Sequence, residues 1–104
     1  MSYRPLPDCL TIKESKIEGL GLFASRDLRE GMDLGMTHYF AEGIWLRTPL
    51  GGFINHSEDP NCITEGEGVL TLLTTKPIPE GEELTLDYRH RDVNTLFHGT
   101  SENN

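Results

Sequence analysis

The stretch GGFINHSEDPNC (residues 51–62) gathers Asn55, His56, Ser57, Asp59 and Asn61 around one proline, directly after a Gly-Gly pair. Short polar side chains of this kind bond to nearby backbone groups and favour turns over regular strands. A plain surface loop has no need of an Asn-His pair set behind Phe53 and Ile54. The purpose of this loop depends on the segments that flank it on either side.

A length of 104 residues suits one small domain, residues 1–104, with no linker. Hydrophobic residues make up 36 % and charged residues 25 %, enough for a thin core. Eleven glycines and six prolines imply many turns and few long helices. Asp and Glu number 17 against 9 Lys and Arg, a formal net charge of −8. That charge argues against nucleic acid and anionic membranes as partners and suits a cationic partner, although acidity also serves plain solubility. Cys9 and Cys62 form neither a metal-ligand pair nor a disulfide framework, so an intracellular setting (cytoplasm or nucleus) is expected. No window approaches the ~18 apolar residues of a membrane span. The polar start MSYRPLPDC does not read as a secretion signal.

The remaining segments read as short strands cut by turns. CLTIKES alternates, GLGLFAS is an apolar stretch punctuated by glycine, and a turn at Glu30-Gly31 precedes a strand. GIWLRTPLGG is a second apolar stretch ending in glycines. GVLTLLTTKPI has the best strand composition, and ELTLDYR alternates after a turn at PEGEE. In the tail, Val93, Leu96 and Phe97 fall at i, i+3 and i+4 and predict a short helix.

Three strings, in this order, carry a resemblance: IEGLGLFASRDLREG (17–31), GGFINHSEDPNC (51–62) and TTKPIPEGEELTLDY (74–88). From about Leu10 to Tyr88 the chain resembles the SET domain of protein lysine methyltransferases. The resemblance implies a mainly β fold of several small sheets, the β-clip, with a knot-like threading of the C-terminal segment. The core would cover about 10–88 and the tail 89–104. It also implies S-adenosylmethionine as cofactor, S-adenosylhomocysteine as product, and the side-chain amine of a lysine in a histone or other protein as substrate. Gly19, Leu20 and Gly21 would bring the backbone close to the cofactor. Asn55 would contact its methionine end, and His56 would use backbone groups on the adenine edge. Tyr88 would border the cofactor and act as the catalytic residue, its hydroxyl holding the amine in line with the sulfonium.

Each of these residues also has a plainer reading. Asn55 could be a turn residue bonding its own backbone, and His56 a packed histidine. Gly19 and Gly21 could mark a strand bend, and Tyr88 an exposed aromatic at a strand end. Glu83 and Asp87 read as fold residues that act through hydrogen bonds.

Departures from the family pattern matter as well. Glu58 stands where many relatives carry a zinc-binding cysteine, and no cysteine follows Tyr88, so no structural zinc or other metal is expected. The tail would then close the lysine channel through Val93, Leu96 and Phe97. The segment between GLGLFA and NHS is short and holds His38, Tyr39, Phe40 and Trp45, as in the minimal SET proteins of viruses and bacteria. So little substrate-binding surface makes a homodimer one way to build a groove. Leu86 replaces an aromatic that limits methylation in many relatives, a change from which the number of methyl groups is not read. Two further readings stand beside the enzyme: a SET-like protein-binding module without catalysis, and a non-enzymatic β domain. The intact NHS and DY strings favour the enzyme.

Overall fold

CLTIKES and GLGLFAS pair as an antiparallel hairpin in the computed structural model, which describes residues 6–88. Its strands are β1 (Leu10–Glu14) and β2 (Leu20–Ala24), in register from Leu10 opposite Ala24 to Glu14 opposite Leu20. The turn between them closes through Ser15 N–H on Gly19 O at 2.8 Å. Gly19 has φ +51°, a left-handed angle that glycine adopts without steric cost.

The second sheet contains β3 (Asp33–Ala41) and β4 (Ile44–Arg47), and after a short helix α1 (Pro49–Phe53) it adds β5 (Asn55–His56), β6 (Cys62–Glu65), β7 (Val69–Thr74) and β8 (Thr85–Leu86). Its strand order is β4-β3-β7-β6-β8-β5. β3, β4, β6 and β7 are antiparallel neighbours, whereas β8 runs parallel to both β5 and β6. The last strand is thus inserted between two earlier ones. The tail helix expected at Val93, Leu96 and Phe97, and the threading of the tail, lie outside the described residues.

β7, the best strand by composition, sits between β3 and β6 with Leu70, Leu72 and Thr74 buried and Val69 exposed. The core joins Leu22, Leu72 and Leu84, each 0 % exposed, with Leu50, Ile54, Ile78 and Leu86. Burying each such side chain contributes about 1.5–3 kcal/mol. Leu28 and Ile78 exchange backbone hydrogen bonds at 2.8 and 2.9 Å and pin the two long turns together. No helix among the described residues is long and apolar enough to cross a membrane.

Two segments differ from their sequence reading. TPLGGF forms α1 rather than a glycine-ended extended stretch. Thr48 caps it, its hydroxyl accepting from Gly51 N–H at 3.3 Å, and Pro49 occupies the first turn, where its fixed φ suits a helix start. Gly51 is required by contact, since a Cβ there would stand 2.5 Å from Thr37 O. Within ELTLDY only Thr85–Leu86 is a strand, and Leu84, Thr85, Leu86 and Asp87 are all buried, so the expected alternation is absent. A strand covered on both faces has no polar side.

Candidate active site

Parallel pairing of β5 with β8 places Asn55 opposite Thr85 and His56 opposite Leu86. The NHS segment, read above as a loop, therefore contributes a two-residue edge strand. Ser57 N–H donates to Leu86 O at 3.1 Å. Strand alternation then turns the N–H and C=O of His56 away from β8, to the edge of the described sheet.

The same pairing brings Tyr88 to His56. Tyr88 N–H donates to His56 Nδ1 at 3.0 Å, and the two rings lie 5.2 Å apart at 50°. Nδ1 is the acceptor in this bond. Asp87 Oδ1, on a buried side chain, lies 3.8 Å from the same Nδ1. The Tyr88 hydroxyl donates to the carbonyl oxygen of Ile54. Burial pushes that hydroxyl above the ordinary tyrosine pKa, Arg47 opposes the shift with its positive charge, and Glu18 adds to it.

Asn55 faces the β1–β2 turn. Its Nδ2 donates to Glu83 Oε2 at 2.9 Å, Glu18 O at 3.2 Å and Leu20 O at 3.3 Å. At Gly21 a Cβ would lie 2.2 Å from Glu83 Oε2 and 3.1 Å from Asn55 Nδ2, so the missing side chain makes room for this pair. Gly19 has open space where its Cβ would stand, and Leu20 is 48 % exposed. Asn55 thus meets the glycine turn at Leu20 and Gly21, while its neighbour His56 meets Tyr88.

Sequence reasoning missed Asn61, which is 5 % exposed. Its Nδ2 donates to Glu83 O at 2.9 Å and Glu82 Oε2 at 3.1 Å, and its Oδ1 accepts from Thr85 N–H at 2.8 Å. Asn61 O also accepts from Thr75 N–H at 2.9 Å. One buried amide thus fixes the entry to β8 and hence the position of Tyr88. The proline just before Asn61 was the available signal, but a turn asparagine looks the same in sequence. Leu86 is 3 % exposed and packs in the core.

Residues 36–89, just over half of the chain, match the SET domain family. The chain belongs to the SET-domain family. Histone-lysine N-methyltransferase 2D of Homo sapiens is 28 % identical over 113 residues, which cover 75 % of this chain and 2 % of that protein. Histone-lysine N-methyltransferase trr of Drosophila melanogaster is 30 % identical over 113 residues, which cover 75 % of this chain and 5 % of that protein. The chain thus spans only a few per cent of the length of these curated relatives.

Solved structures share the fold. A histone methyltransferase candidate from Plasmodium falciparum superposes with a TM-score of 0.66 at 19 % identity, covering 82 % of this chain and 96 % of that one. The methyltransferase domain of human PR domain-containing protein 2 gives 0.62 at 19 %, covering 78 % and 77 %. The mainly β fold expected for a SET domain is the one observed. Among the described residues of this SET domain, no group of three or more His, Cys, Asp or Glu is placed to hold a metal ion.

Proposed function

We propose that this SET domain transfers a methyl group from S-adenosylmethionine to a lysine side chain of a protein. The observation that carries the reading is the joining of Asn55, His56 and Tyr88 through the β5–β8 pair. The site's donor set supports the cofactor. It is rich in acceptors, with the carbonyls of Glu18 and Leu20, the Asn55 amide and the Tyr88 hydroxyl, as a ligand bearing an ammonium and a sulfonium needs. When bound, S-adenosylmethionine supplies an electrophilic methyl group and leaves as the neutral thioether S-adenosylhomocysteine.

The chain's own residues would position and select. Asn55 would meet the methionine end and the outward backbone edge of His56 the adenine. The Tyr88 hydroxyl spends its proton on Ile54 O, so its lone pairs remain to accept from the incoming amine. Its raised pKa keeps it neutral, which favours holding the amine over taking its proton. Having a free lysine neutral at pH 7 costs roughly 4 to 5 kcal/mol. Arg47, whose charge is felt at Tyr88, would lower that cost by disfavouring an ammonium beside it.

The net charge of −8 supports a basic protein or peptide as substrate, and the buried free thiols of Cys9 and Cys62 support an intracellular setting. Calorimetric titration with S-adenosylmethionine tests the reading, followed by methyl transfer to lysine peptides and mass spectrometry of a treated lysate. Saturable binding and a modified lysine are expected. Absence of cofactor binding would overturn the enzyme reading, and binding without transfer to any protein would favour an inactive module.

A further inference from the structure

Glu83 stands in GEEL, a turn sequence whose acidic residues are ordinarily solvated. Here its backbone forms a bridge with Phe23, which places its side chain beneath the β1–β2 turn. Ser15 Oγ lies 2.8 and 2.9 Å from its two carboxylate oxygens. That hydroxyl is itself fixed, accepting from Ile17 N–H at 2.8 Å and Glu18 N–H at 3.3 Å. Glu83 Oε2 is also an acceptor for Asn55 Nδ2 at 2.9 Å, in space that only a glycine at position 21 leaves open.

Three oxygens, from Glu83, Glu18 and Leu20, surround one terminal atom of the Asn55 side chain. Only nitrogen satisfies three acceptors, so the amide has one allowed orientation. Two of those acceptors are backbone carbonyls of a turn, and Glu83 is the side chain that completes the set. We infer that Glu83, held by Ser15, is a positioning residue that locks the Asn55 amide with Oδ1 turned outward to accept from the amine-bearing end of the ligand. This inference rests on the proposed cofactor reading. It assigns Glu83 the role of a hydrogen-bond acceptor, independent of its negative charge.

The test uses the full chain in two measurements. In the ligand-free, 15N-labelled protein, the Asn55 side-chain amide protons should exchange slowly with water. Glu83→Ala should speed that exchange. Glu83→Gln should preserve the slow exchange, because a Gln oxygen in the place of Oε2 still accepts from both Asn55 Nδ2 and the Ser15 hydroxyl. Ser15→Ala should fall between the two. In calorimetry, S-adenosylmethionine affinity should drop about tenfold in Glu83→Ala, the loss expected for one hydrogen bond. Glu83→Gln should stay within about threefold, and Glu83→Ala combined with Asn55→Ala should bind no worse than Asn55→Ala alone. Additive losses, a Gln variant as weak as the Ala variant, or an unchanged amide exchange in Glu83→Ala would each overturn the inference. A wild type that binds no cofactor overturns the proposed function instead, and the ligand-free spectra still decide whether Glu83 holds Asn55.

Discussion

The Tyr88 backbone N–H donates to His56 Nδ1 at 3.0 Å, although the two residues lie 32 apart in sequence. This bond ties the end of β8 to the β5 edge. With the Tyr88 hydroxyl on Ile54 O, it fixes the tyrosine at both its backbone and its tip.

Tyr88→Phe removes the hydroxyl and keeps both the ring and the backbone bond to His56. The variant should fold, bind S-adenosylmethionine nearly as well, and lose about a hundredfold in methyl transfer, the scale of a lost positioning contact. Rate should rise with pH in both proteins, as more substrate lysine becomes neutral. Melting temperature, cofactor affinity and initial rate on one lysine peptide check this, and an equally fast variant would remove Tyr88 from catalysis.

His56 should matter through Nδ1 as an acceptor. In His56→Asn the amide oxygen can take the Tyr88 N–H, whereas His56→Ala leaves it without that partner. We expect the Asn variant to retain clearly more transfer than the Ala variant at similar stability. Equal losses in the two would show that the bond does not set the position of Tyr88.

Asn61→Ala removes both side-chain donors and the acceptor of the buried clamp on β8. Thr85 N–H would be left buried without its side-chain partner, so a loss of about 2–4 kcal/mol is expected. Urea denaturation of the two proteins measures it. A shift under about 0.5 kcal/mol, typical of surface changes, would deny the clamp.

Alkaline pH should destabilise the fold through Cys62. Burial pushes its thiol from the ordinary value of 9.0 up to about 12. Between these values the unfolded chain has lost a proton that the folded chain keeps, so stability is full below about pH 9 and falls as pH rises toward 12. The slope is at most ~1.4 kcal/mol per pH unit. The raised Tyr88 hydroxyl adds a loss of the same sign above its ordinary titration range. Cys62→Ala should flatten the decline in denaturant midpoint against pH, and an equally steep decline would assign it to other groups.

Chelator should leave the melting temperature unchanged, and protein purified without added metal should contain no stoichiometric zinc. Structural zinc contributes so much to small domains that its removal would lower the melting curve plainly. A clear drop would show a structural metal despite Glu58 and the cysteine-free tail.

The β class, the strands of CLTIKES and GVLTLLT, and the three strings that carry the family were all legible in the amino-acid order. Those features are local: β-rich alternation, turn residues and short motifs show their chemistry without a partner. It also marked Asn55, His56 and Tyr88 as candidates. How they meet depends on strand pairing between distant segments. β8 enters parallel between β5 and β6, a pairing between distant segments that leaves no periodic trace in a two-residue strand. α1 forms at TPLGGF because Thr48 caps it and Thr37 O presses on Gly51, a contact made across the fold. Glu83 and Asn61 look like ordinary turn residues in the sequence. They become the support of the site because the fold brings their polar atoms to Ser15, Asn55, Glu82 and the backbone of β8.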